Sequence, residues 1–288
     1  MTAHIPGLPA GTGPVPSARE TEGPDVELRE RFERSVDEGA RRLGRSWPSL
    51  FATGVVGGLD VGAGVLALLV VEHQTHDEML GAVAFTIGFV ALTLAHSELF
   101  TEDFMMPVVA VVARQARVRE VIRLWSGTAA TNLLGGWIAT GLTIAALPHL
   151  RATAIAAGTH YTAMGIGWRS FASGILGGGA ITLMTWMERG TESMVGKLAA
   201  AVSIAFILAA GPLNHAIVAS LLMFAAIHAH APFGYLDWAA SASWAALANI
   251  VGGVGLVTVL RLIQIGRDPV AEERRRAPGQ PREHHDDV

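Results

Sequence analysis

The chain has 288 residues, 51% of them hydrophobic and 16% charged, with a formal net charge of −4 and no cysteine. Disulfides and thiolate metal sites are excluded, and apolar runs this long and this lightly charged exclude a soluble globular core. The partner that composition implies is the lipid bilayer; neither a cofactor nor nucleic acid is expected.

In chain order, residues 1–25 are polar and carry Pro6, Pro9, Pro14, Pro16 and Pro24. A disordered N-terminal tail is expected there rather than a signal peptide. Residues 26–46 are charged but space Leu28, Phe32, Val36 and Leu43 on one face, the pattern of an amphipathic cytoplasmic helix. Six stretches then approach or exceed the apolar length that spans a bilayer: 49–71, 80–113, 121–147, 170–187, 198–227 and 241–265. They divide into a first membrane repeat over 47–147, an external connection over 148–169 and a second membrane repeat over 170–266. Residues 267–288 are charged and expected as a disordered cytoplasmic tail. Its His284, His285, Asp286 and Asp287 read as solvated tail before they read as a metal site.

The two repeats are visible as text. Residues 51–58, Phe-Ala-Thr-Gly-Val-Val-Gly-Gly, return 120 positions later as Phe-Ala-Ser-Gly-Ile-Leu-Gly-Gly. Residues 84–90 return at 201–207, and Asn132-Leu133-Leu134-Gly135-Gly136 returns as Asn249-Ile250-Val251-Gly252-Gly253, both at an offset of 117. Three spans per copy force the second copy to enter the membrane from the opposite side, so the repeat is inverted. The basic residues are 20 Arg and one Lys, as in a GC-rich bacterial genome, and 19 of the 21 fall on one side of a six-span arrangement. Both termini are therefore expected in the cytoplasm.

The second span of each repeat is interrupted. Residues 80–113 would make a helix of about 51 Å against about 30 Å of hydrocarbon. The break falls at His96-Ser97-Glu98-Leu99-Phe100-Thr101-Glu102-Asp103, and its counterpart at Gly211-Pro212-Leu213-Asn214-His215. The offset of 117 sets Glu98 opposite His215. Paired interruptions point to a conduction site, because non-helical backbone at membrane depth is tolerated where it lines a cavity.

These blocks resemble the formate/nitrite transporters over residues 45–265. Glu98-Leu99-Phe100-Thr101 is similar to that family's motif in the break of its second helix. The segment 211–215 is similar to the fifth-helix break with its central His, and the two Asn…Gly-Gly blocks to the third- and sixth-helix motifs. The resemblance implies an all-α, aquaporin-like fold of six transmembrane helices in two inverted three-helix repeats. It also implies a homopentamer with one pore per protomer, passing small monovalent anions or their weak acids. It assigns Thr101, His215 and the adjacent Asn214 to the substrate pathway. Leu99 and Phe100, with Phe89 nearby, become the inner apolar constriction, and Phe85 and Leu208 the outer one. The chain departs from the family at Asn214 and Ala219, where Glu and Asn are usual, at Gly178, and at Thr162, where many members place an anion-attracting Lys. Glu102 and Asp103 replace small or amide residues.

Each residue also has a bland reading. His215 is an ionisable group beside a Gly-Pro break, able to donate a proton to a small carboxylate or to remain protonated as a counter-charge. Otherwise it is an interhelical hydrogen-bonded His. Thr101 offers a hydroxyl to an anion or to His215, or caps the half-helix that follows. Glu98 must meet backbone N–H groups, Arg or water, and reads first as a structural tie. His96, at the loop edge, reads as structural. Asn132 and Asn249 read as packing residues that pin the loops. Glu102 and Asp103 either face the cytosol as a gate or indicate a substrate that is not a simple anion. The function expected is therefore a channel or transporter for formate- or nitrite-like species in the bacterial cytoplasmic membrane. The alternatives are a neutral-solute channel and a non-conducting scaffold; no catalytic constellation argues for an enzyme.

Overall fold

The computed structural model describes residues 24–276. Helix α1 (Pro24–Leu43) precedes α2 (Trp47–Thr75), whose first turn is set by Pro48, and α3 (Glu78–Ala95), whose first turn is capped by Asp77. A 3₁₀ segment (Phe100–Phe104) leads into the short α4 (Met106–Val112) and then α5 (Val118–Ala146). A single 3₁₀ turn (Pro148–Leu150), α6 (Arg151–Met164) and α7 (Trp168–Arg189) follow. After α8 (Met194–Ala210) and α9 (Ala216–His228), α10 (Tyr235–Ile250) runs through a π-helical segment (Val251–Thr258) into α11 (Val259–Ile265). Helix α12 (Arg267–Arg276) ends the described chain. No strand occurs among the described residues.

Among the described residues, four helical segments are long and apolar enough to cross a membrane: α2, α3, α5 and the continuous Tyr235–Ile265. The stretch 198–227 is two shorter apolar helices, α8 and α9, and 80–113 is α3, the 3₁₀ segment and α4.

Small residues set the spacing of the helices. A Cβ at Gly58 on α2 would lie 2.1 Å from the Asn132 carbonyl oxygen on α5, and one at Gly178 on α7 would lie 2.2 Å from the Asn249 oxygen on α10. Both glycines let one backbone touch another, and the approach recurs in the two halves. The π segment lies at a tertiary contact. The Phe104 ring presses on Gly253, where a Cβ would be 2.6 Å from Cδ2, and Thr258 donates to the carbonyls of Phe104 (3.1 Å) and Gly253 (2.9 Å).

Helix α1 buries Phe32 and Val36 against Met105, Met106, Val109 and Trp186. The tail departs from expectation. Residues 267–276 are helical rather than disordered, because α12 has partners: Val270 packs on the α1 cluster, Glu272 pairs with Arg29, and the Arg274 guanidinium donates to the Val112 carbonyl (2.9 Å). The expectations for residues 1–23 and 277–288, including the His284–Asp287 cluster, lie outside the described residues. The connection between the halves is mostly helix α6, which packs on α9 and buries Ala154, Gly158 and Tyr161.

Candidate functional site

Two asparagines hold the two breaks. The Asn132 side chain accepts from the Phe100 N–H (2.8 Å) and donates to the carbonyls of Gly54 and Glu98 (2.8 Å each). Asn249 accepts from the Ala216 N–H (2.8 Å) and donates to Gly174 (2.8 Å) and Asn214 (2.9 Å). Each carboxamide thus satisfies two groups of a break that lipid would leave unpaired and ties them to a carbonyl of α2 or α7. The bonding pattern also corrects the register of the breaks. It pairs Glu98 with Asn214 and Phe100 with Ala216, an offset of 116, so that Leu99 and not Glu98 is the counterpart of His215.

The breaks meet at Thr101 and His215. Thr101 Oγ1 lies 2.6 Å from His215 Nε2, and both residues are fully buried. His215 is the N-cap of α9, and its Nδ1 accepts from the Val218 N–H (3.2 Å). A nitrogen that accepts carries no proton, so the ring proton of the neutral imidazole sits on Nε2 and is donated to Thr101. The Thr101 hydroxyl proton then bonds nothing else among the described residues. Thr101 does not cap the following segment; Leu99 occupies that position. Asn214 stands apart from the pair, its backbone N–H donating to Ser173 Oγ (2.9 Å) and its amide to the Ser170 carbonyl (3.2 Å).

Apolar side chains surround the pair. Phe85, Phe89, Leu99, Phe100 and Leu208 belong to one buried cluster with Val218 and Leu222. The Phe85 and Phe89 rings are 5.8 Å apart. Phe100 packs edge-on against Phe104 (5.0 Å), and both contact Trp125, whose indole N–H donates to the Asp103 carbonyl (2.9 Å).

On either side lies a vestibule. The first, about 280 Å³, is bordered by α1, the first break, the ends of α3 and α7 and the start of α8. Here the acids of the break find their partners. Arg42 of α1 reaches Asp103 (2.8 Å), Glu38 (3.0 Å) and Glu98 (3.4 Å), and Arg45 reaches Glu98 (2.5 Å). Burial works against the Arg42 charge, but Asp103, Glu98, Glu102 and Glu38 outweigh it and raise its pKa. Burial likewise works against a charged Glu38, and the charge and hydrogen bond of Arg42 more than offset it, lowering its pKa. Glu102 lines the vestibule together with Glu188, Arg189 and Lys197, and His96 borders it with a left-handed backbone (φ 52°). The sequence reading missed Arg42, Arg45, Glu38 and Glu188. The available signal was three acids within six residues of a membrane break, which require cations from elsewhere.

The second vestibule, about 260 Å³, is bordered by Glu72, Glu78, His160, Tyr161, Pro212 and Val218. Neither cavity includes Thr101 or His215, but Glu102 borders one and Val218 the other, so the pair stands between them. Among the described residues no group of His, Asp and Glu is arranged to hold a metal ion.

This arrangement of apolar helices, paired breaks and opposed vestibules is that of a membrane conduit. Residues 29–263 match the family model described as "Formate/nitrite transporter", and the chain belongs to that family of transporters. It is 24% identical over 245 residues to the "Uncharacterized transporter YrhG" of Bacillus subtilis (strain 168), covering 80% of this chain and 90% of that protein. Its fold is similar to that of an "FNT family ion channel", with a TM-score of 0.70 and 18% identity over 80% of this chain and 96% of the other. It is also similar to a "Pentameric formate channel with formate bound", with a TM-score of 0.61 and 21% identity over 74% and 95%.

Proposed function

We propose that the protein conducts a small monovalent weak acid or its anion, formate- or nitrite-like, across the bacterial cytoplasmic membrane. Thr101 and His215 form the midpoint of each protomer's pathway. The observation that carries this reading is the buried Thr101–His215 hydrogen bond between two vestibules. The Thr101 hydroxyl proton is directed to a substrate oxygen, while His215 fixes the hydroxyl's orientation. Phe85 and Leu208 on the outer side, and Phe89, Leu99 and Phe100 on the inner side, strip water from what passes. The working unit is a homopentamer of six-span protomers, with inverted halves over 47–147 and 170–266 and both ends inside. The pentameric formate channel of similar fold supports that assembly and substrate class. Asn214, with its amide on Ser170, positions the second break rather than touching substrate.

The neutral-solute alternative drew on Glu102 and Asp103 and on Thr162 standing where many members place an anion-attracting Lys. Asp103 is neutralised by Arg42, and Glu102 shares a vestibule with Arg42, Arg189 and Lys197, which weakens the first of these two grounds.

The test is uptake of labelled formate and nitrite into proteoliposomes, comparing the native chain with His215→Ala. Uptake that rises as external pH falls and is lost in the variant is the expected result. Assembled, folded protein that carries neither solute would limit the family likeness to fold.

A further inference from the structure

The second vestibule, the outer one when both ends of the chain are inside, is unusual for an entrance to an anion pathway. Its two charged lining groups are the carboxylates of Glu72, at the outer end of α2, and Glu78, at the start of α3. No Lys or Arg lines it among the described residues, and the charge that acts on Glu72 is that of Glu78. Two like charges at the mouth of a low-dielectric cavity repel an approaching anion.

The same cavity holds a hydrogen-bond donor with nothing to bond. Tyr161 on α6 is 4% exposed and lines the vestibule, and its hydroxyl has no partner among the described residues. Burial pushes its pKa up, so the phenol keeps its proton. The His160 ring packs edge-on against it at 5.3 Å and fixes its plane. A carboxylate acceptor and a phenolic donor in one cavity match the two faces of an undissociated acid: its O–H donates to Glu, and its C=O accepts from Tyr161.

The neighbouring ionisable groups are engaged elsewhere. Asp77 caps α3 through the N–H groups of Met79 (2.8 Å) and Leu80 (3.1 Å). His73 Nδ1 is 3.3 Å from Thr153 Oγ1, and its ring lies against His149. His76 caps the end of α2, and the exposed Arg151 does not line the cavity. The α8 end, the second break and α9 contribute only apolar side chains to it, such as Pro212, Val218 and Leu222. His215 is no ready proton donor, because a second ring proton on Nδ1 would break its bond from the Val218 N–H.

We propose that Glu72, Glu78 and Tyr161 form a selectivity site for the neutral, protonated form of a small weak acid, so that the substrate's proton is loaded at the outer mouth and not at His215. This rests on the weak-acid pathway proposed above. An anion that reaches a protonated Glu takes its proton: the Glu O–H bond breaks, the substrate O–H bond forms, and external water returns a proton to the carboxylate. An acid already protonated in solution enters without that step.

The experiment uses the full chain in proteoliposomes, with empty liposomes as background. Initial uptake of labelled formate is measured at fixed total concentration between about pH 5 and pH 7. For the native chain the protein-dependent rate is expected to fall about tenfold per pH unit, as the neutral fraction of an acid does above its pKa. Nitrate, whose conjugate acid is too strong to form, should not be carried. Glu72→Gln with Glu78→Gln should flatten the slope and admit nitrate, and Tyr161→Phe should raise the KM for formate with the slope retained. Both variants are compared only as assemblies that elute with the native one. Native formate uptake with nitrate carried equally well, or a slope unchanged in the double Gln variant, overturns the selectivity site and leaves the channel standing. No formate uptake by the native assembly overturns the channel reading and this inference together.

Discussion

Arg42→Ala tests how the acidic break is held in the membrane. The guanidinium bonds Asp103 and Glu38 and lies 3.4 Å from Glu98; Asp103 is 0% and Glu98 1% exposed. Removing it leaves Asp103 buried without its cation, whereas Glu98 keeps Arg45 at 2.5 Å. Breaking a buried ion pair from one side costs about 3–5 kcal/mol, because the stranded charge stays desolvated. The loss is read from reversible unfolding in mixed micelles, followed by the fluorescence of Trp125, whose indole bonds the Asp103 carbonyl. Arg42→Met combined with Asp103→Asn removes both charges and should recover a large share of the loss. Arg45→Ala should cost less, since Arg45 is 21% exposed at its side chain and water can replace it. A change within about 0.5 kcal/mol for Arg42→Ala, the range of ordinary surface substitutions, would refute the reasoning.

Asn132→Ala and Asn249→Ala each leave two backbone groups of a break unpaired, at about 1–3 kcal/mol per stranded group, and should abolish uptake with loss of folded protein. Asn132→Asp, which keeps only the acceptor, should fail as well. Gly58→Ala and Gly178→Ala each put a methyl within about 2 Å of a carbonyl oxygen, and overpacking of about 1–3 kcal/mol or more should appear as lowered thermal midpoints. Glu38 has a pKa below its ordinary 4.5, so its contribution to docking α1 is complete above that value and is lost as pH falls through the lowered one. Proteolysis of the native α1 should therefore rise below about pH 4.5, and Glu38→Gln should lack that component of the rise.

Much of the architecture was legible because lipid imposes simple rules. Long apolar runs and an internal offset of 117 placed most of the apolar helices and the two breaks, and the family resemblance picked Thr101 and His215 within those breaks. The Asn…Gly-Gly blocks were legible as structural, since an amide before paired glycines suits close helix contact. What the sequence could not carry was the register inside the breaks. Apolar similarity supports 117, while hydrogen bonds to Asn132 and Asn249 require 116, a one-residue difference invisible without the backbone. The partners of Glu98 and Asp103 were also hidden, because they come from α1 and the turn after it, some sixty positions away for Asp103. Helix α12 was misread because its composition is that of a solvated tail, and its partners, such as Arg29, Glu33, Val112, Gln115 and the α1 cluster, are distant in sequence. The π segment arises from Phe104 pressing on Gly253, a tertiary contact with no local signature.

The most direct test of the central claim is formate flux set against glycerol flux in the same proteoliposomes, for the native chain, Thr101→Ser and Thr101→Val. Thr101→Ser keeps the hydroxyl that His215 orients, whereas Thr101→Val keeps the shape and removes the one free donor at the midpoint. The account predicts formate uptake by the native and Ser chains, none by the Val chain, and no glycerol uptake by any of them. Glycerol passing freely, or formate uptake that survives Thr101→Val unchanged, would contradict it.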